Sequence, residues 1–428
     1  MGRLSPCVAI AGFAVLILTS ACGQSPVQPL SQSPANPAPP DTVTPFATVS
    51  RTDLGTLGGA ASYATDVNDS GIVVGWSKIA TGVDHAFRWT KAQGMIDLGT
   101  LPGDQWSRAV SITNSGQVLG ISGGTAETPV AWDSLGTLTP LPIPLLPGAT
   151  AILLADHNGS GQVTGSDIGG TLSSHAWFWS ESLGIYDITA HIPGYAYESY
   201  GSNINGSGFV VGTNQARTVC TNSHTTECWH VFVWSLLTGY RDLGIPVEGE
   251  LRSAAVTGSA INDLGVVVGW TIPNPDSGGM HPYRWAEGKG FTLLPTFSGF
   301  PTYASSVNSA GTAVGAGMDP KFGAIEAAAW PAVGGIVKLS PDDPNPSVAV
   351  AVNASGIVVG WSSLGTTNHA TAWTLGPGRG ASTPTVTSRS RSPVFTAATQ
   401  LEPAGCLSDP RAVISKQLLI ECIVRREN

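Results

Sequence analysis

"VNDSGIVVGW" occupies residues 67–76, and the chain returns to it six times. The copies are "ITNSGQVLGI" (112–121), "HNGSGQVTGS" (157–166), "INGSGFVVGT" (204–213), "INDLGVVVGW" (261–270), "VNSAGTAVGA" (307–316) and "VNASGIVVGW" (352–361). Their first glycines, Gly71, Gly116, Gly161, Gly208, Gly265, Gly311 and Gly356, are spaced by 45, 45, 47, 57, 46 and 45 residues. A second glycine follows four residues later in every copy. Each repeat then reaches a tryptophan: Trp89, Trp132, Trp179, Trp234, Trp285, Trp330 and Trp373. A period near 45 residues is that of a four-stranded propeller blade. Seven copies therefore predict an all-β fold, a seven-bladed β-propeller of four-stranded blades.

The first repeat predicts strands over "SYATDVN", "IVVGWS", "HAFRWT" and "GMIDLGTL". Asn-x-Ser-Gly makes the first hairpin turn, because Asn and Gly tolerate positive φ. A short glycine turn near Gly94 makes the last. The "DLG" strand that follows Trp89 and Trp234 also precedes the first repeat, in "RTDLGTLGG" (51–59), and is missing after Trp373. Residues near 46–56 are thus expected to supply the outer strand of the last blade and close the ring, leaving no open sheet edge. Composition agrees: 53 glycines and only 11% charged residues suit short strands and tight turns rather than charged helices. A net charge of −9 without a basic block argues against nucleic acid as a partner.

"HAFRW" (85–89), "HAWFW" (175–179), "HVFVW" (230–234), "HPYRW" (281–285) and "HATAW" (369–373) repeat a further idea. With "DLGTLGG" (53–59), "DLGTLPG" (97–103) and the Asn-x-x-Gly turns, they make the chain resemble the HAF-repeat family of extracellular repeat proteins over roughly residues 50–375. The resemblance implies secretion and a propeller-like repeat, and no particular reaction. Blades two and six depart from it, with "TPVAW" (128–132) and "EAAAW" (326–330). The histidine could be a metal ligand, a catalytic base or a structural brace. Copies one blade apart lie too far from one another to share a metal outside the channel. Two blades do without the histidine and none without the tryptophan. A brace is therefore expected: Trp packs between blades, and His bonds backbone or a neighbouring turn.

The N-terminus points to export. Arg3 precedes an apolar run, "VAIAGFAVLIL" (8–18), too short to span a bilayer comfortably, and "TSAC" (19–22) follows. This resembles a bacterial lipoprotein signal over residues 1–21, with Cys22 lipidated; an ordinary secretory signal is the alternative. Gly23 is not the aspartate associated with inner-membrane retention, which favours the outer membrane or cell surface. Residues 22–45 hold seven prolines and little to bury, and suit a tether. The propeller is expected over 46–376, as a monomer that meets the membrane only through its lipid. Residues 377–428 form a tail, partly disordered, in which "AVISKQLLIECIV" (412–424) could be a short helix or strand. Cys220 with Cys228 and Cys406 with Cys422 fall into local pairs that an oxidising compartment favours as disulfides; zinc is the rival, without suitably spaced histidines.

Other chemistry is sparse. "GISGG" (120–124) matches a nucleophile elbow but lacks the following helix. Asp156, Asn158, Ser160 and Asp167 carry the rhythm of a calcium loop without its glutamate, yet other blades make the same turn without the aspartate. No cofactor is expected. Strand order places the second-to-third loops and the blade-to-blade loops on one face, and the more uniform Asn and Gly turns on the other. Ligand binding is expected on the variable loop face. The candidates there are Trp106 and Arg108; Tyr195, Tyr197, Glu198 and Tyr200; Arg217 and Trp229; Glu250 and Arg252; and Asp276. A binding module for glycan, peptide or envelope protein leads. A polysaccharide- or ester-active lyase or hydrolase over the channel, and a structural envelope assembly protein, are the alternatives.

Overall fold

The computed structural model describes residues 49–169, 174–192, 198–216, 228–246, 256–272 and 279–376. Seven four-stranded antiparallel sheets follow one another as the blades of a seven-bladed β-propeller. Blade 1 runs through strands Gly58–Val67, Val73–Ile79, Asp84–Thr90 and Gly94–Asp97, from the axis outward. Blade 2 starts at Trp106, blade 3 at Ala151, blade 4 at Ser199, blade 5 at Val256, blade 6 at Thr302 and blade 7 at Ser347.

The ring closes through the N-terminal strand. Val49–Asp53 pairs antiparallel with Thr367–Leu375, the third strand of blade 7, from Val49 opposite Leu375 to Asp53 opposite Thr371. Arg51 adds an ion pair to Asp343, in the loop leading into that blade.

All seven tryptophans brace the blade before them. Trp132 packs on Val74 and Ala86, Trp179 on Leu119 and Ile121, Trp234 on Ala176 and Phe178, and Trp285 on Val211 and Val231. Trp330 packs on Ala260 and Val268, Trp373 on Val314 and Ala327, and Trp89 closes the circle against Ala351 and Val359 of blade 7. Three indoles add a bond across the same seam. Trp132 Nε1 donates to the Leu98 carbonyl (2.8 Å), Trp330 Nε1 to the Pro295 carbonyl (2.8 Å) and Trp373 Nε1 to Ser340 Oγ (3.1 Å).

The Asn-x-x-Gly turns work differently from expectation. The first glycine of every copy has positive φ, between 73° and 87°, but none of the asparagines does. Each asparagine instead links blades. Asn68 Nδ2 donates to the Thr113 carbonyl, Asn158 to Asn205, Asn205 to Asn262, Asn262 to Asn308, Asn308 to Asn353, and Asn353 back to Asn68, all at 2.9–3.1 Å. The amide oxygen meanwhile caps its own turn, as Asn68 Oδ1 does for the N–H groups of Ser70 and Ile72. A belt of buried amides thus joins the blades at six of the seven seams, open between blades 2 and 3. Blade 2 has Thr113 at this place, and its hydroxyl bonds Ser115 within the turn.

The inner strand of every blade carries a bulge, at Ala64/Asp66, Ala109/Ser111, Leu154/Asp156, Gly201/Asn203, Gly258/Ala260, Ala304/Ser306 and Ala349/Ala351. The second glycine of each repeat lies beside it. Gly75, Gly120, Gly165, Gly212, Gly269, Gly315 and Gly360 pair with the last residue before the shift, and a Cβ on any of them would overlap an inner-strand carbonyl oxygen. The extra residue of a bulge bends the strand toward its neighbour, and only glycine leaves room.

Candidate functional site

Antiparallel order fixes two faces. One carries the loops between second and third strands and between blades. The other carries the Asn turns and the outer hairpin turns. The repeat histidines sit at the rim of the loop face, and four of the five bond an aspartate rather than backbone or turn. His85 Nδ1 lies 2.8 Å from Asp97, His175 2.9 Å from Asp187, His230 2.8 Å from Asp242 and His369 3.1 Å from Asp53. In each pair the aspartate belongs to the outer strand, twelve residues on except at His369, whose partner comes from the closing N-terminal strand. The second carboxylate function starts the next loop: Asp97 Oδ1 accepts from Gly99 N–H, Asp242 Oδ1 from Gly244, and Asp53 Oδ1 from Gly55. The "HAF" and "DLG" motifs are therefore two halves of one brace. The bond to Asp187 is the main cause of a raised pKa at His175.

Blade 5 keeps His281 but has Leu293 at the aspartate place, whereas blades 2 and 6 change both halves. Blade 2 has Thr128 and Pro140 at the two places, and blade 6 has Glu326 and Lys338. Glu326 is 2% exposed, accepts from Ser340 N–H at 2.6 Å, and is pushed up to about 7 chiefly by burial. Lys338 pairs with Asp319 at 2.6 Å. A carboxyl whose folded pKa exceeds its ordinary 4.5 stabilises the fold fully below that ordinary value, and the contribution is lost as pH rises through about 7. Glu326→Gln is expected to match the parent near pH 4.5 and to exceed it by on the order of 2–3 kcal/mol at pH 8. Denaturant midpoints across that range test it; parallel curves would refute it.

Of the predicted ligand residues, Glu198, Tyr200 and Trp229 are brought together on blade 4. Tyr200 is buried, stacks on Trp229 (centroids 5.9 Å, planes 23° apart) and donates to Glu198 Oε2 at 3.1 Å. Trp229 and Glu198 are half-buried, at the loop-face ends of the third and first strands of the blade, with Val210–Ala216 between them. Trp106 and Arg108 lie together at the seam of blades 1 and 2. Arg108 holds Asp84 through Nε (3.1 Å) and Nη2 (2.5 Å) and lies 4.6 Å over Trp76 and 5.5 Å over Trp106. Trp106 is half-buried across from Gly123, where a Cβ would strike its indole. Tyr195, Tyr197, Arg217, Glu250, Arg252 and Asp276 lie outside the described residues, as do Cys22, Cys220, Cys406, Cys422 and the Cys228 side chain.

The calcium-loop residues do not converge. Asp156 pairs with Thr164 and Asp167 with Ile152, so the two carboxylates are roughly 10 Å or more apart along one hairpin. Asp156 Oδ2 accepts from Asn203 Nδ2 (2.7 Å) and Asn158 Oδ1 from Ser160 N–H (3.0 Å), while Asp167 accepts from His175 N–H. Ser122, the serine of "GISGG", is in a strand rather than an elbow, buried, and donates to Asp104 Oδ2 at 2.6 Å.

No protein-family model matches the chain, and no curated protein matches it. Solved structures do. One is YCF48 bound to D1 peptide, 12% identical, with a TM-score of 0.48 over 79% of this chain and 99% of that one. Another is TolB from Acinetobacter baumannii, 10% identical, TM-score 0.39, over 67% of each chain. A third comes from a study of two prolyl endopeptidases, 8% identical, TM-score 0.50, over 76% of this chain and 51% of that one. The likeness is one of fold.

Proposed function

We propose that the chain is an exported binding module, held at the cell surface through a lipid on Cys22 and presenting its loop face to a glycan, a peptide or an envelope protein. The observation that carries this is the Glu198–Tyr200–Trp229 cluster. A buried phenol holds an indole by stacking and a carboxylate by a hydrogen bond, both at the strand ends of a rigid blade. A flat aromatic beside a carboxylate suits the apolar face and hydroxyl edge of a sugar, or a peptide side chain with a donor. In sequence, Tyr195 and Tyr197 precede this cluster directly and Arg217 lies within the 57-residue spacing that sets blade 4 apart.

The test is a glycan, peptide and envelope-extract binding screen on the full chain, with and without calcium. Calcium-independent binding to one class is expected. Trp229→Ala is expected to weaken it at least about tenfold, and Glu198→Gln several-fold, without a change in melting behaviour beyond that of a surface substitution. Replacing Tyr195, Tyr197 and Tyr200 together by alanine should abolish it. Binding indifferent to all these changes would remove the blade-4 site. Chemical alteration of a bait would favour the lyase or hydrolase alternative.

A further inference from the structure

The face opposite the loops is not uniform. Its outer hairpin turns carry Leu135 (90% exposed), Leu183 (50%), Leu236 (50%), Leu237 (94%) and Val333 (91%), and the Asn turn of blade 5 carries Leu264 (65%). Among the described residues every large apolar side chain at least half exposed lies on this face. Those on the loop face, Leu145, Phe300 and Leu364, reach 45% at most.

The turns do not need these side chains. Blade 1 makes the same turn with Lys91, Ala92 and Gln93, and blade 5 with Glu287, Gly288 and Lys289, all exposed. Nor are the tips loose. Asp133 Oδ1 accepts from Leu135 and Thr137 N–H at 2.8 Å, and Arg88 of the preceding blade reaches the Ser134 carbonyl at 2.5 Å. Arg284 does the same for the tip of blade 6, donating to the Ala332 carbonyl (3.2 Å) and the Gly311 carbonyl (2.7 Å). Neighbouring blades thus hold bare aliphatic tips in fixed positions.

Single protruding side chains on separate turns of a rigid ring offer no groove. A protein partner would need a pocket for each; a planar, deformable apolar phase accepts them all. The chain ends say which way that phase lies. Val49 pairs with Leu375, and Leu375 N–H donates to the carbonyl of Gly356 in the Asn turn of blade 7 (3.2 Å), so the chain enters and leaves the propeller on this same face. Residue 22 lies 27 positions before Val49. We infer that the turn face rests on a lipid bilayer, its leucine and valine tips entering the interface. The loop face then points away from the membrane. The exposed charges among the turns are of both signs (Lys91 and Lys289, Glu181 and Asp133), so apolar insertion rather than charge drives the contact. For the position of the bilayer this rests on the anchoring reading above, but its test does not.

The experiment uses the full chain with Cys22→Ser, which cannot be acylated, and vesicles of phosphatidylethanolamine with a minority of phosphatidylglycerol. A polarity-sensitive fluorescent amino acid replaces Leu237, or Leu364 on the opposite face. Quenching by nitroxide-bearing lipid is expected at 237 and not at 364, little changed by added salt. In the unlabelled chain, Leu135→Ser, Leu237→Ser and Val333→Ser together are expected to lower vesicle partitioning at least about tenfold. Absence of quenching at 237, equal quenching at both positions, or no partitioning at all would each overturn the inference. So would a tip variant that floats unchanged but loses concentration-dependent self-association, which would make the face a contact between copies. Failure of Cys22 acylation in cells would touch only the anchoring reading.

Discussion

Gly75→Ala is expected to cost about 3 kcal/mol or more, at the upper end of what overpacking does to a filled interior. The added methyl would overlap the Tyr63 carbonyl oxygen, lie 2.9 Å from the Ala64 Cα and 3.0 Å from the Phe87 ring. Two of those three are backbone of the bulged inner strand, which cannot turn aside as a side chain could. Relief would require flattening the bulge, and that would shift the inner strand against its partner in register. Gly94→Ala is the control. Gly94 has φ of 71° and open space around its Cβ position, so the change costs only left-handed strain, about 1–2 kcal/mol. Guanidinium midpoints of the two variants separate steric from conformational glycine. If Gly75→Ala were no worse than Gly94→Ala, the seven second glycines would need another explanation.

The contrast bears on what recurrence can reveal. Blade number, strand order, ring closure and the tryptophan brace were legible because seven copies sample one design. A tryptophan that never lapses must fill the same seam each time. The second glycine recurred just as strictly, but its cause is a backbone bulge, which has no side-chain signature of its own. The Asn belt was hidden for a different reason. Asn68 and Thr113 are neighbours only once the ring exists, so the sequence suggested a turn residue where the structure has a link between blades. The His–Asp pair did leave a trace. His85, His175, His230 and His369 each have an aspartate at the matching outer-strand place, whereas blade 2 has Thr128 and Pro140, and blade 6 Glu326 and Lys338, at the two places. Blades 2 and 6 lose both halves together, which is visible before any coordinates, while blade 5 keeps His281 with Leu293 at the aspartate place.

The variable loop face was placed by strand order, and the apolar tips of the other face were not. Leu135, Leu237 and Val333 occupy turn positions, where glycine and asparagine had drawn attention to backbone shape. Exposure is a property of the folded ring, and only there do these side chains stand out. The two faces differ in chemistry: the aromatic and acidic cluster of blade 4 lies on one, the aliphatic tips with Val49 and Leu375 on the other.

Trp330→Ala is expected to destabilise the protein by about 3–5 kcal/mol from lost packing and the cavity left behind, with a further ~1 kcal/mol from the Pro295 carbonyl that loses its donor. Trp330 is 1% exposed and fills the seam between blades 5 and 6, against Ala260, Val268, Phe297 and Ile336. Trp330→Phe keeps most of the packing and gives up the 2.8 Å bond to Pro295, so it should fall well short of the alanine variant. Trp89→Ala, at a half-buried copy of the same position, should cost less than Trp330→Ala. Denaturant midpoints order the three. Two probes decide how the damage spreads. In a closed ring each seam is held by its neighbours, so near- and far-ultraviolet circular dichroism should still report one coincident transition, moved to lower denaturant. A near-ultraviolet change that precedes the far-ultraviolet one would instead mean that the ring opens at this seam before the blades melt. A Trp330→Ala midpoint within about 1 kcal/mol of the parent would show that the seam is held by the Asn belt and not by its tryptophan.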